Sequence, residues 1–368
     1  MASNFRNLVT RWRFSVDRIS IVILVALISI GVWVSIASTP AVAIKLGLPP
    51  FYFVRHHLLI IPISISIMVA ISFLQSSDIR KIAAIGYVFC IVSLICVAFF
   101  GLEIKGAKRW INIFGFSLQP SEFLKPTLAV ITAWLVSEQY MDRGFPGIIL
   151  SAASLFLVAP FLLLQPDVGM TIVIVLTWIA QLFISGISVL MLSLFAIFAA
   201  LSLWGLYFVF PHFAGRLNMF IGDEGDLYQV KKSLEAFRSG GFFGKGPGEG
   251  IVKTLVPDAH ADFVFSVIGE EFGFLLCVLI IILFIILIIR ALTKVMKSYN
   301  IFDLTVVFGI VFQVTIQIVI NLATSLNLIP TKGMTLPFIS YGGSSFLVTS
   351  ISFGIVLAIT KKSTNRAK

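Results

Sequence analysis

Long apolar runs, broken by short polar or Gly/Pro-rich stretches, fill the chain from residue 19 to residue 360. About ten of them approach the roughly twenty residues that a helix needs to cross ~30 Å of hydrocarbon. They are Ile19–Ser38, His57–Leu74, Ile82–Phe100, Ser121–Ser137, Gly147–Leu164, Val168–Ser185, Ile187–Phe210, Phe263–Ile289, Leu304–Asn327 and Phe338–Thr360. The pattern predicts an all-α polytopic membrane protein with about ten transmembrane helices, a single domain over residues 1–368. Ala41-Val42-Ala43 resembles a signal-peptidase site, but the run before it is of spanning length and further spans follow, so a retained first helix is expected.

An even number of spans places both termini on one side. Arg6, Arg11, Arg13 and Arg18 at one end and Lys361, Lys362, Arg366 and Lys368 at the other put that side in the cytoplasm. The loops before Ser121, around Asp167, between Phe210 and Phe263 and between Asn327 and Phe338 then open outward. One of these, residues 211–262 between the seventh and eighth spans, is the large extracytoplasmic loop where function is expected. Within it Leu227, Val230, Leu234 and Phe237 recur at helical spacing, giving an amphipathic helix that either lies in the headgroup layer or caps the bundle. The glycine-rich GGFFGKGPGEG (Gly240–Gly250) follows, with no GK[ST] in a P-loop frame. No internal repeat is evident.

Composition agrees with the pattern. The chain is 58% hydrophobic and 12% charged, against about 45–50% and about 25% in soluble domains, which excludes a water-soluble fold. The net charge of +10 comes from residues flanking the apolar runs and not from a phosphate-tracking face, so nucleic acid is not an expected partner. Cys90, Cys96 and Cys277 lie inside apolar runs without CxxC spacing and read as small hydrophobes.

Ionisable groups inside or beside spans are costly and therefore informative. Glu122 and Lys125, in QPSEFLKP (Gln119–Pro126), are three apart on one helix face and can pair, either structurally or in a cavity. Asp167, in QPDVG (Gln165–Gly169), is a helix-break carboxylate or an N-cap. Lys108 and Arg109, beside Trp110 in GAKRWI, and Arg216, ahead of the acidic Gly222–Asp226, are candidate anion contacts or ordinary interfacial cations. The densest group is PDAHADFVFSVIGEEFG (Pro257–Gly273), where His260 and Asp262 stand directly before the eighth span. A carboxylate at a bilayer edge can be tuned as a general base, so Asp262 is the leading catalytic candidate, with helix capping as the alternative. Glu270 and Glu271 are adjacent, about 100° apart on a helix, so at most one should easily face a shared cavity.

Taken in order, GAKRWI, QPSEFLKP, QPDVG, GKGPGEG, PDAHADFVFSVIGEEFG and LPFISYGGSS resemble the SEDS family of peptidoglycan glycosyltransferases, and the division branch of that family more than its elongation branch. The resemblance covers essentially the whole chain. It implies polymerisation of lipid II into glycan strands at the outer face of the bacterial inner membrane, at the division septum. It implies a class B penicillin-binding protein and other divisome proteins as partners, with lipid II and membrane lipid as ligands. It places the catalytic carboxylate at Asp262, a cavity pair at Glu122 and Lys125, and a cavity acid at Asp167. Lys108, Arg109, Lys125, Arg216 and His260 become candidates for substrate or pyrophosphate contact. The family often has threonine where this chain has Ala261, so a hydroxyl contact is missing there. No cofactor is certain. A divalent cation (Mg or Mn) bridging phosphate oxygens suits the chemistry, but the sequence holds no metal-ligand cluster. The competing readings are a flippase for the same lipid and a non-catalytic divisome scaffold.

Overall fold

The computed structural model describes residues 10, 12, 14–104, 107–113, 116–165, 167–209, 214–215, 227–329 and 333–361. Most of these are helical. The long helices are α1 (Arg18–Lys45), α2 (Tyr52–Ser72), α3 (Ser76–Phe100), α4 (Pro120–Met141), α5 (Gly147–Leu164), α6 (Val168–Ile184), α7 (Val189–Val209), α9 (Val264–Val295), α10 (Ile301–Ser325) and α11 (Gly343–Thr360), with a shorter α8 (Leu227–Gly240) before α9. Each apolar run read from the sequence falls on one of the long helices. By length and composition, α1, α2, α3, α5, α9, α10 and α11 are long and apolar enough to cross a membrane, and α6 is a shorter apolar helix. Several helices outrun their apolar runs. α1 continues through Pro40 to Lys45, and α3 starts at Ser76 with Asp78, Arg80 and Lys81 in its first turns. Polar end residues extend a helix beyond hydrocarbon without cost, so apolar length underestimates helix length.

One expectation needs correcting. The stretch before α4 is not a loop but a three-stranded antiparallel ribbon, β1 (Leu102–Ile104), β2 (Ala107–Ile113) and β3 (Phe116–Leu118), in the order β1-β2-β3. Its register pairs Glu103 with Lys108 and Asn112 with Ser117. β1 and β3 are too short to carry a period, and β2, AKRWINI, breaks the alternation at Lys108-Arg109 and Trp110-Ile111, so none stands out beside the apolar runs.

Helix α11 packs along α2, α3 along α4, α10 against α4 and α6, and α1 against α2 and α9. Between helices in lipid the gain comes from close van der Waals packing, which favours small residues at crossings. At Gly31 of α1 an added Cβ would stand 2.2 Å from the Phe338 carbonyl oxygen, so only glycine lets α1 approach the segment before α11. Phe338 itself has φ 61° and is fully buried against Phe346 and Phe353. The amphipathic helix α8 takes the bundle-capping role: Val230, Ser233 and Ala236 are buried, and Ser233 Oγ donates to the Ser325 carbonyl at 2.7 Å.

The bundle has two chemically different ends. At one end meet the start of α1, the end of α2, the starts of α3 and α10 and the ends of α9 and α11. There Asp17 accepts from Arg290 Nη2 at 2.6 Å and Nε at 2.8 Å and from Ser20 at 2.7 Å, with Lys294 at 3.6 Å. Arg80 pairs with Glu138 at 2.8 Å, and Lys361 donates to the Phe73 and Leu74 carbonyls. This is the end that the charge pattern assigns to the cytoplasm. The basic residues at 6, 11, 13, 362, 366 and 368 lie outside the described residues.

The two-pronged Arg290 contact, reinforced by Ser20 and Lys294, holds the Asp17 carboxyl well below the usual carboxylate range despite its burial. A depressed carboxyl stabilises the fold above the unfolded-state pKa, and that contribution is lost as pH falls through the folded value. Asp17→Asn is therefore expected to lower unfolding stability in detergent by about 2 kcal/mol at neutral pH. The gap to wild type should shrink only below about pH 4. Paired melts at pH 7 and at acid pH check this; a gap independent of pH would show that the charge of Asp17 is not what ties α1 to α9.

Candidate functional site

At the opposite end, the site is assembled by amide side chains on α10. Gln313, Gln317 and Asn321 recur every four residues, which aligns them on one helix face. All three are at least 96% buried. Gln317 Oε1 accepts from Lys125 Nζ at 2.9 Å, and its Nε2 donates to the Thr335 carbonyl at 2.9 Å. One turn on, Asn321 Nδ2 donates to the Met334 carbonyl at 2.6 Å and to the Asp262 carbonyl at 2.9 Å. Two amides on one face thus hold the start of α4, the segment before α11 and the Asp262 backbone in one frame.

The two loop segments are also joined directly. Ser340 Oγ donates to the Ala261 carbonyl at 2.6 Å while accepting the Leu336 amide at 2.7 Å. The Tyr341 amide donates to the His260 carbonyl at 2.9 Å. Thr335 and Ser345 hydroxyls meet at 2.6 Å. Gly333 lies against the Asp262 carboxyl so closely that an added Cβ would come within 2.7 Å of Oδ2. Helix α9 begins after Phe263, its N-cap, so Asp262 precedes the cap instead of occupying it. Asp258, with φ 48°, turns the chain within this segment.

The remaining predicted residues fall in related positions. Lys125 is buried, and its Nζ meets Glu122 Oε2 at 2.6 Å, the pair expected from the i,i+3 spacing. Asp167 is the N-cap of α6, accepting the Met170 amide at 3.3 Å, and also accepts from Gln119 Nε2 at 3.2 Å. Arg109 on β2 stands 3.9 Å from Asp167 and donates through Nε to the Gln165 carbonyl at 2.8 Å. Asp167 is therefore both a cap and part of a charged cluster. Gln119 connects the two groups: its amide donates to Ser344 Oγ at 3.0 Å, and its side chain donates to Ser121 Oγ at 3.0 Å, beside Glu122. Lys108 is exposed on β2. The His260 ring stacks on Phe53 at 5.1 Å and lies 5.5 Å from the Tyr341 ring, so aromatic packing helps set its position. Arg216 lies outside the described residues.

Below Lys125 a narrow pocket lined by Thr132, Thr177, Gln181 and Gln313 has room for about one water molecule. Among the described residues no three His, Cys, Asp or Glu side chains gather to hold a metal ion.

Sequence reasoning missed Gln317 and Asn321, and gave no individual role to Thr335 or to Ser340 in LPFISYGGSS. The available signal was the four-residue spacing of amides inside an otherwise apolar run. Glu270 and Glu271 do not line the pocket below Lys125; both are buried and both contact one turn, Val252–Thr254. That turn wraps the helix edge, so a 100° separation does not prevent two neighbours from reaching it.

The comparisons decide the family. A family model described as cell cycle protein, FtsW/RodA/SpoVE, matches residues 18–365. The chain belongs to that family. The probable peptidoglycan glycosyltransferase FtsW of Caulobacter vibrioides is 38% identical over 353 residues, covering 95% of this chain and 90% of the relative. The FtsW of Haemophilus influenzae is 34% identical, covering 93% and 90%. Among solved structures, Thermus thermophilus RodA superposes with a TM-score of 0.69 at 25% identity, covering 94% of this chain and 96% of that one. A structure described as coordinating polymerization and crosslinking in a peptidoglycan synthase complex gives 0.75 at 24% identity, covering 94% and 97%. The polytopic helical architecture read from the sequence is the fold of this family.

Asn321→Leu keeps the branching of the side chain but removes its donation to the Asp262 and Met334 carbonyls. At about 1–3 kcal/mol for each of the two buried bonds, the expected loss is about 2–6 kcal/mol. Denaturant unfolding in detergent measures it, and an unchanged midpoint would mean that these carbonyls find other donors.

Proposed function

We propose that this chain is a peptidoglycan glycosyltransferase that polymerises lipid II into glycan strands at the outer face of the inner membrane during septal wall synthesis. The observation that carries the reading is the placement of Asp262: its segment is pinned by Asn321, Ser340 and the Tyr341 amide at the rim opposite Asp17, Arg290 and Lys361, in a chain that belongs throughout to the FtsW/RodA/SpoVE family. Both termini are cytoplasmic in this reading, and residues 211–262 form the large extracytoplasmic loop.

The reaction joins an acceptor sugar hydroxyl to an anomeric carbon as undecaprenyl pyrophosphate departs. Asp262 orients the acceptor 4-hydroxyl and takes its proton as the carbon–oxygen bond forms. The bond from the anomeric carbon to the pyrophosphate oxygen breaks, and negative charge accumulates on that leaving group, where cations are most useful. Lys125 and Arg109 are the described candidates near the same rim, each with a carboxylate neighbour, Glu122 and Asp167. Lys108, Arg216 and His260 complete the candidate substrate contacts. Binding both substrates from the lipid plane supplies proximity, which alone can account for much of a bimolecular barrier.

A class B penicillin-binding protein is the proposed partner, with other divisome proteins at the septum. The fold-level likeness to a complex that coordinates polymerization with crosslinking supports it.

The test is glycan polymerisation from labelled lipid II by the purified chain, with and without its class B partner. Asp262→Asn is expected to reduce turnover by about 100-fold or more while lipid II binding persists. Equal synthesis by the variant would remove Asp262 from the chemistry. Translocation of lipid II without synthesis would favour a flippase, and neither activity would favour a scaffold.

A further inference from the structure

Helix α9 is interrupted at Gly273, with φ 80° and ψ −179°. In a continuous helix the Phe274 and Leu275 amides would donate to the Glu270 and Glu271 carbonyls. Instead they donate to the Gly241 carbonyl at 3.0 Å and the Phe242 carbonyl at 3.3 Å, while the Glu270 and Glu271 carbonyls accept from the Lys245 amide at 3.0 Å and the Gly246 amide at 2.9 Å. The glycine-rich segment is spliced into the break, replacing two helical bonds with four. An added Cβ on Gly244 would stand 2.2 Å from the Glu271 carbonyl oxygen, which accounts for the glycine there.

The side chains of the same two glutamates hold the next stretch. Glu270 accepts the Val252 amide at 2.8 Å and the Lys253 amide at 2.6 Å. Glu271 forms an ion pair with Lys253, whose Nζ also donates to the Ala37 carbonyl of α1 at 2.9 Å. Lys45, at the end of α1, donates to the Thr254 carbonyl. Glu270, Glu271 and Lys253 are 0%, 1% and 5% exposed. Two buried carboxylates therefore hold one turn, and the Lys253 ammonium pairs with Glu271. Glu270 is satisfied by backbone amides, whereas Glu271 depends on Lys253 for its countercharge.

We propose that Lys253 is a positioning residue: by pairing with Glu271 and bonding to α1 it fixes the upstream end of the segment whose downstream end, Asp262, is held by Asn321. This rests on the reading of Asp262 as the base. Lys253 lies too deep in the α1–α9 junction to serve as a substrate contact. Without its ammonium the buried Glu271 carboxyl loses its countercharge, and the turn at Val252–Thr254 loses its bond to Ala37 and keeps only the Lys45 hydrogen bond to α1 among the described residues.

The test is steady-state polymerisation of labelled lipid II by the full-length chain in nanodiscs, with its class B partner, for wild type, Lys253→Met, Lys253→Arg and Glu271→Gln. Lys253→Met is expected to lower kcat about 100-fold through misplacement of the base, with KM for lipid II within about threefold of wild type. Lys253→Arg should recover most of kcat, and hydrogen exchange in Lys253→Met should rise in residues 241–262 while α10 and α11 keep their protection. If Lys253→Met does not fold, Glu271→Gln tests the same pair and should give the same split. Wild-type kcat in whichever of these two variants folds, or a loss without the local rise in exchange, overturns the proposal. Asp262→Asn run in parallel separates the two readings. If that variant is active while Lys253→Met is impaired, the base assignment fails and the positioning of the loop stands; if it is inactive while Lys253→Met turns over normally, positioning alone fails.

Discussion

A buried amide that donates to a main-chain carbonyl in an apolar bundle is the constraint on which this site depends. Backbone groups that leave regular helix at membrane depth have no water to turn to, so irregular segments persist only where protein partners satisfy them. The segment before α11 and the one before α9 are both irregular, with Phe338 and Asp258 at positive φ. Asn321 and Gln317 supply donors to three of their carbonyls, those of Asp262, Met334 and Thr335. Asn321 bridges the two loops through one side-chain nitrogen, so the Asp262 position and the course of residues 333–341 are set together. The Gly31 crossing reinforces this by allowing α1 to press on the Phe338 carbonyl from the other side.

The same rule explains why α9 can be broken inside the protein. An open helix break would expose two donors and two acceptors, at a cost of about 1–3 kcal/mol for each buried group. The segment around Gly241–Gly246 returns a partner to every one of them. The glycine-rich run is therefore a fitted insert, and its lack of side chains serves close backbone approach.

Much of this was legible in the sequence. Run length located every long helix, because hydrocarbon thickness fixes the number of apolar residues needed. The Glu122–Lys125 pair followed from spacing, and the capping role of Asp167 was visible in a carboxylate placed between Pro166 and Gly169. What escaped was long-range and neutral. Glutamine and asparagine in a span carry no charge to attract notice, and nothing local says that Asn321 faces Asp262 rather than another helix. Lys253 was hidden differently: it sits in a glycine-rich loop like any surface lysine, and only the fold brings it beneath Glu271 and Ala37. The ribbon of β1, β2 and β3 was hidden because β1 and β3 have three residues each and the seven of β2, AKRWINI, do not alternate cleanly between apolar and polar.

The two ends of the bundle divide their polar contacts by kind, and the proposed chemistry gives that division a consequence. At the end assigned to the cytoplasm, charge pairs such as Asp17 with Arg290 carry structural load. At the site end the bonds nearest Asp262 are amide-to-carbonyl and hydroxyl-to-carbonyl, the structural pair Lys253–Glu271 is buried between α1 and α9, and Lys125 and Arg109 sit beside Glu122 and Asp167. A pyrophosphate is a strong competitor for cations and a weak one for a carbonyl that already has its neutral donor. Its arrival can draw Lys125 or Arg109 from a carboxylate without loosening the Asn321 and Ser340 contacts that place Asp262. The neutral bonds beside Asp262 are thus chemically insulated from the charges that exchange during turnover, and the Lys253–Glu271 pair is kept from that competition by its burial. An exposed charge pair in its place would instead be contested by the substrate it must hold.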